Sequence, residues 1–149
     1  METVWKPHAT VAAITERDGR FLIVEEMSDG KVVYNQPAGH LDPGESLIKA
    51  VIRETQEETA WQFTPEYISG IYRWDQYDTD RCFLRVAFVG SCNNHIKDQK
   101  LDDGIIKAVW LTRKELATQT DKLRSPMVLR CIDDYLAGKN YPLDLLVDI

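Results

Sequence analysis

Residues 39–61 read GHLDPGESLIKAVIRETQEETAW, a loop containing glycine and proline followed by a stretch that predicts a helix. From Ser46 to Thr59 the chain is rich in good helix formers and has no glycine or proline. Leu47, Ala50 and Val51 share one face of that helix, which indicates that it packs against a sheet.

The predicted helix carries three carboxylates, Glu54, Glu57 and Glu58, at positions i, i+3 and i+4. They fall within about 100° of arc on one helix face. Glu54 and Glu58 repel each other by a few tenths of a kcal/mol in an isolated helix, and a cation between them would reverse that cost. Clustered carboxylates without a thiol or imidazole suit a hard cation, Mg²⁺ first and Mn²⁺ second.

An ordinary solvated helix face explains the same charges when they are considered alone. Arg53 and Glu57 are also four residues apart and would form a surface ion pair worth about 0.3–0.5 kcal/mol. The glutamates therefore do not decide between a metal site and a solvated face, and the preceding loop has to be considered with them.

Loop and helix together resemble the signature of the Nudix hydrolase family, G-x5-E-x7-R-E-U-x-E-E-x-G-U. The matching residues are Gly39, Glu45, Arg53, Glu54, Glu57 and Glu58, all at the correct spacing. Two positions depart from the signature: Thr55 replaces an aliphatic residue and Ala60 replaces the final glycine, before an apolar Trp61. Ala60 affects the turn after the helix, where a positive φ would strain a residue with a side chain.

This resemblance implies an α/β fold of the Nudix type, an α/β/α sandwich with a mixed β-sheet flanked by helices, and hydrolysis of a phosphoanhydride. It implies that the metal is held by Glu54, Glu57 and Glu58, with the Gly39 carbonyl as a further ligand. Glu45 and Arg53 resemble the pair that braces the loop against the helix. Residues 1–149 are expected to form one domain, with the signature at 39–61.

The rest of the chain predicts strands first and helices interspersed later, which is typical of a mixed sheet covered by helices. Residues 35–44 are expected to be a loop, because they contain two prolines and two glycines. Strands are predicted at 9–15, 20–26, 32–34, 68–74, 82–89 and 106–111, and helices at 113–117 and from 126 to just before Gly138. Asp-Gly pairs at 18–19 and 29–30 indicate tight turns, and residues 91–104 are expected to form a polar loop.

Composition excludes several other classes of protein. The net charge of −6 argues against a nucleic-acid binder, and no apolar run approaches the ~20 residues of a membrane span. The three cysteines form no CxxC motif, and the N-terminus shows no secretory signal. We therefore expect a reduced, cytoplasmic protein that is a monomer or small homo-oligomer.

Further short stretches are similar to the phosphatase NudJ group within the family: residues 6–8, 35–41, 123–126 and 141–142. This similarity implies a small-molecule substrate and release of orthophosphate from nucleoside tri- and diphosphates and from thiamine-type pyrophosphates. One alternative is a Nudix hydrolase of ADP-ribose, a dinucleoside polyphosphate or an RNA 5′ end. The other is a non-catalytic Nudix domain that senses nucleotides, although such domains typically lose the glutamates retained here.

Hydrolysis needs a group that accepts a proton, and two places in the sequence offer one. Glu57 is the first candidate, and Asp103 or its neighbour Asp102, in the loop before residues 106–111, is the second. Aromatic and histidine side chains near predicted loops and strand ends are candidates for substrate binding: Trp5, His8, Tyr34 and Trp74, with His40 and Tyr77. Arg81, Arg85 and Arg124 are further candidates for phosphate binding, with solvated surface pairs as the default expectation for all three.

Overall fold

The computed structural model describes residues 2–149, which form eight strands and three α-helices. The strands are β1 His8–Ile14, β2 Glu16–Arg17, β3 Arg20–Ser28, β4 Lys31–Asn35, β5 Ala38–His40, β6 Gln62–Asp75, β7 Cys82–Asn93 and β8 Ile105–Thr112. The helices are α1 Leu47–Thr59, α2 Arg113–Ala117 and α3 Met127–Leu136, with short 3-10 turns at Thr120–Lys122 and Leu143–Leu145. Between residues 2 and 149, no helix is long and apolar enough to cross a bilayer.

The strands form two sheets that share the core. One sheet has the order β5-β1-β7-β6, in which β1 and β7 run parallel and the other neighbours are antiparallel. In the other sheet, β3 lies between β4 and β8 and also pairs with β2. The mixed sheet predicted from the sequence is therefore confirmed.

Tight turns lie at both Asp-Gly pairs. Asp18 and Gly19 have φ of 53° and 76° between β2 and β3, and Asp29 and Gly30 have φ of 50° and 78° between β3 and β4. Positive φ at both central residues is the geometry of the hairpin turns that Asp-Gly favours. The strand before the first turn, β1, nevertheless joins the other sheet, and only the short β2 pairs there with β3.

Helices cover the core from two sides, as the predicted α/β/α arrangement requires. Side chains alternate along β7, so Val86 and Phe88 pack with α1, whereas Ala87 and Val89 pack with α3. The predicted helix boundaries agree closely with α1, α2 and α3.

Two predictions about loops are wrong. Strand β7 continues to Asn93, into the stretch expected to be a loop from residue 91. Residues 38–40, inside another predicted loop, form β5 and pair with β1 through Thr10 opposite His40. A three-residue strand between prolines and glycines has no local signal, because its pairing depends on a distant strand.

Candidate active site

A cleft of about 290 Å³ opens where β5, α1 and the beginning of α3 meet. Its acidic residues are Glu26, Asp42, Glu54, Glu58 and Asp102, and its basic residues are His40, Arg85 and Arg124. Trp74 and Phe83 add aromatic surface from β6 and β7. The cleft thus combines a group of carboxylates with an aromatic wall.

Helix α1 brings two buried carboxylates to this cleft. Ser46 caps the helix by accepting a hydrogen bond from the Lys49 amide at 3.1 Å, and Ala60 ends it with a left-handed φ of 64°. Glu54 and Glu58 lie one turn apart on the same face and are 9% and 7% exposed. The helix therefore does not present these charges to solvent, which excludes an ordinary solvated face.

Strand β5 approaches these carboxylates very closely. The Ala38 amide donates a hydrogen bond to Glu58 Oε1 at 2.9 Å. A Cβ placed on Gly39 would lie 2.1 Å from Cδ of Glu54, closer than any side chain allows. A side chain at position 39 would force the Glu54 carboxylate out of the place it occupies, where Arg53 holds it.

Arg53 ties the preceding loop to the helix. Its Nε and Nη2 donate to Oε2 and Oε1 of Glu45 at 2.7 and 3.0 Å, and Nη2 also donates to the His40 carbonyl at 3.0 Å. Nη1 donates to Glu54 Oε1 at 2.8 Å and to Glu57 Oε2 at 3.2 Å. The hydrogen bond from Arg53 lowers the pKa of Glu45. The structure thus brings the predicted brace and two of the three glutamates into one hydrogen-bonded group.

The two candidate proton acceptors occupy different positions. Glu57 is 41% exposed at its side chain and shares Arg53 Nη1 with Glu54, but it is not among the residues that line the cleft. Asp102 lines the cleft, and its amide donates to the Glu57 carbonyl at 2.9 Å. The neighbouring Asp103 is exposed and is not part of the lining.

An aromatic row runs across the ends of β1, β7 and β6. The rings of His8 and Phe83 stack with centroids 5.1 Å apart, and those of Phe83 and Trp74 stack at 5.7 Å. His8 also hydrogen-bonds to the His40 ring at 3.1 Å. This row, His8–Phe83–Trp74, places two of the predicted substrate-binding residues at the cleft or against residues that line it.

The other two predicted substrate-binding residues lie elsewhere. Trp5 is 62% exposed in the segment before β1. Tyr34 packs against the apolar cluster beneath α3, and its carbonyl accepts a hydrogen bond from the Arg124 amide at 2.8 Å. Neither is among the residues that line the cleft.

The family model of the NUDIX domain matches residues 5–131, which include every residue that lines this cleft. The chain belongs to the Nudix hydrolase family. It is therefore an enzyme that acts on pyrophosphate bonds.

Named relatives agree with this assignment. Phosphatase NudJ of Escherichia coli strain K12 is 37% identical over 145 residues, which cover 97% of this chain and 94% of the relative. A solved NUDIX hydrolase from Nitrosomonas europaea is 46% identical with a TM-score of 0.94, and the match covers 97% of this chain and 98% of that one. The MutT protein from Methanosarcina mazei Go1 shares the fold, with 23% identity and a TM-score of 0.72. That match covers 93% of this chain and 100% of the other.

Nudix hydrolases generally use divalent metal cations, and the donor set of this cleft fits one. Burial raises the pKa of Glu58 to about 9, and the nearby Glu26, Glu54 and Asp102 add to this effect. Burial also raises the pKa of Glu54. Glu54 is paired with Arg53, whereas Glu58 has no basic partner in salt-bridge range among the residues that the structure describes, so its carboxylate would be stabilised by a cation. Within residues 2–149, no three His, Cys, Asp or Glu side chains converge as a ready metal site, and Glu54 and Glu57 both hydrogen-bond to Arg53.

The sequence interpretation missed the true environment of one arginine. Arg85 is 3% exposed, so the expectation of a solvated surface pair is wrong for it. Arg124, by contrast, does pair with Glu26 at 2.8 Å. The signal available for Arg85 was its position in the middle of the strand predicted at 82–89, because such a residue is buried when both faces of the sheet are covered. Phe83, which lines the cleft from the same strand, was not among the predicted substrate-binding residues.

Proposed function

We propose that this Nudix hydrolase cleaves phosphoanhydride bonds in nucleoside tri- and diphosphates and in thiamine-type pyrophosphates, releasing orthophosphate, with Mg²⁺ as its metal. The observation that carries the proposal is the meeting of buried carboxylates and an aromatic row in one cleft. The name of the 37% identical relative, Phosphatase NudJ, supports the release of phosphate.

We assign metal binding to the carboxylates of Glu54, Glu57 and Glu58, with the Gly39 carbonyl as a further ligand. The close approach of β5 to α1 supports this set, because it presses the strand backbone against Glu54 and Glu58. A divalent cation held by these residues would polarise phosphate oxygens, lower the pKa of water and neutralise the leaving group.

The chain itself orients these groups and takes up a proton. Arg53, held by Glu45, fixes the positions of Glu54 and Glu57. Water attacks phosphorus, the P–O–P bond breaks, and the proton released has to be accepted. We assign that acceptor to Glu57, whose carboxylate is partly open to water, with Asp102 as the alternative. Asp103, which the sequence favoured over Asp102, is exposed outside the cleft lining.

The His8–Phe83–Trp74 row is proposed to hold the ring of the substrate. Stacking on an aromatic face tolerates different bases, because every base has a π-face. A positively charged thiazolium ring gains cation–π attraction from the same surface. One aromatic row therefore serves both substrate classes.

The test measures product formation from a panel containing nucleoside tri- and diphosphates, thiamine pyrophosphate, ADP-ribose and a dinucleoside tetraphosphate. Each substrate is incubated with Mg²⁺ or with chelator, and the products are identified by ³¹P NMR. We expect Mg²⁺-dependent orthophosphate from the first three substrates. Cleavage restricted to ADP-ribose or the dinucleotide would overturn the substrate assignment, and tight nucleotide binding without turnover would indicate a sensor.

Three variants test the proton acceptor through pH–rate profiles. Glu57→Gln is expected to lower turnover by at least about 100-fold, and Asp103→Asn to leave it unchanged. If Asp102→Asn produces the large loss and Glu57→Gln does not, the acceptor is Asp102. Glu66→Gln, a change of the same kind at an exposed residue of β6 outside the cleft, is the matched control.

A further inference from the structure

The guanidinium of Arg85 is buried without a compensating carboxylate. The residue is 3% exposed in the middle of β7, and no Asp or Glu oxygen within residues 2–149 lies in salt-bridge range of it. Its Nε is the one buried side-chain nitrogen or oxygen in this part of the chain that has no hydrogen-bond partner. An unpaired buried charge is costly, so this guanidinium needs an explanation, and a bound anion would supply the missing partner.

Neutral groups hold this guanidinium in place. Nη1 donates to Gln36 Oε1 at 2.9 Å, and Nη2 donates to Asn35 Oδ1 at 3.0 Å. Gln36 is itself anchored, because its Nε2 donates to the Val128 carbonyl at 2.8 Å. The side chain is therefore fixed before any ligand arrives, while its charge is not neutralised.

Arg85 lines the cleft that the carboxylates of α1 also line. Thr10 lies directly opposite it in the parallel pairing of β1 with β7 and lines the same space. Glu54 and Glu58 approach from α1 on the other side. Arg85 and two of the proposed metal carboxylates, Glu54 and Glu58, thus line one volume of about 290 Å³.

We propose that Arg85 binds the terminal phosphoryl group of the substrate, an inference that rests on the proposed phosphoanhydride hydrolysis. A phosphate oxygen accepts from the free Nε–H and supplies the charge that the buried guanidinium lacks. Because Arg85 is almost fully buried, only an unsubstituted end of the substrate reaches it, while the ring remains at the aromatic row. Arg85 thereby selects pyrophosphates with a free terminal phosphate over those esterified at both ends.

Two comparisons test Arg85 by kinetics. Arg85→Gln and Arg85→Lys are expected to raise KM for a nucleoside diphosphate about 10- to 100-fold, the loss of a hydrogen bond to a charged group, with a smaller change in kcat. Neither variant should change the inhibition constant of ADP-ribose, whose phosphates are both esterified, measured against the same nucleoside diphosphate. Arg20→Gln, at an arginine that is 52% exposed and outside the cleft, is the matched control.

Binding of inorganic pyrophosphate in chelator tests the same residue without turnover. In wild-type protein labelled with ¹⁵N, the Nε–H resonance of Arg85 should shift as pyrophosphate is added, and affinity should fall at least about tenfold in Arg85→Gln. The wild-type titration decides the matter even if the variant does not fold. No shift, or equal affinities in both proteins, would overturn the proposal. If the Arg85 resonance shifts but the wild-type protein hydrolyses none of the proposed substrates with Mg²⁺, the proposed function is overturned and the phosphate-binding role of Arg85 is not.

Discussion

Replacing Gly39 with alanine is expected to disable the acidic end of the cleft. The new Cβ would lie 2.1 Å from Glu54 Cδ and 2.3 Å from each carboxylate oxygen, whereas ordinary contacts begin at 3.4 Å. Either the carboxylate moves by about 1.3 Å, the difference between 3.4 and 2.1 Å, or β5 moves away from α1. Both responses displace a group that we assign to metal binding.

The size of the effect follows from that displacement. Misplacing a catalytic group by about 1 Å costs about 100-fold in rate, which corresponds to about 2.7 kcal/mol. We therefore expect kcat/KM of Gly39→Ala for a nucleoside diphosphate to fall at least about 100-fold. The affinity for Mn²⁺, measured by electron paramagnetic resonance, should fall with it. Overpacking should lower the free energy of unfolding in urea by about 1–3 kcal/mol.

A second glycine separates the loss of activity from the loss of stability. Gly138, just past α3, has a φ of +80° and nothing within 4 Å of a new Cβ. Gly138→Ala should lose about 1 kcal/mol of stability through backbone strain and keep its kcat/KM. If Gly39→Ala retains kcat/KM within about threefold of wild type, the cleft does not depend on this close packing and the reasoning is refuted.

Three further predictions concern the aromatic wall, the brace and the core. Trp74→Ala should raise KM for a nucleoside diphosphate about tenfold, since base stacking contributes about 1–3 kcal/mol. The control is Tyr77→Ala, at a residue that is 87% exposed, and a Trp74→Ala KM equal to that of wild type would exclude stacking. Arg53→Lys keeps the positive charge but removes the planar guanidinium that binds Glu45 through two nitrogens, so kcat/KM should fall at least about tenfold. Arg113→Lys, the same change outside the cleft, should match wild type in the same assay. Phe88→Ala should lower the free energy of unfolding in urea by about 3–5 kcal/mol, because the ring is fully buried; a loss below 1 kcal/mol would contradict its place in the core.

Features that depend on neighbouring residues could be predicted from the sequence. The spacing of Glu54, Glu57 and Glu58 identified one helix face, and the residue types around Ser46 predicted where α1 begins. The Asp-Gly pairs located two tight turns. Helix periodicity and positive φ are properties of a few consecutive residues, so no distant contact is needed to establish them. Single-domain organisation, oligomeric state and cytoplasmic location stay predictions.

The cleft itself depended on contacts between distant parts of the chain. Strand β5 exists because it pairs with β1, and Arg85 reaches the cleft because β7 lies beside β1 in parallel. Asp102 joins the lining because its amide donates to the carbonyl of Glu57. Local sequence was sufficient to predict the carboxylates of α1 and the helix that carries them. The burial of those carboxylates, the unpaired guanidinium of Arg85 and the His8–Phe83–Trp74 row were decided only by the packing of the sheets, because the exposure and pairing of a side chain depend on what surrounds it in space.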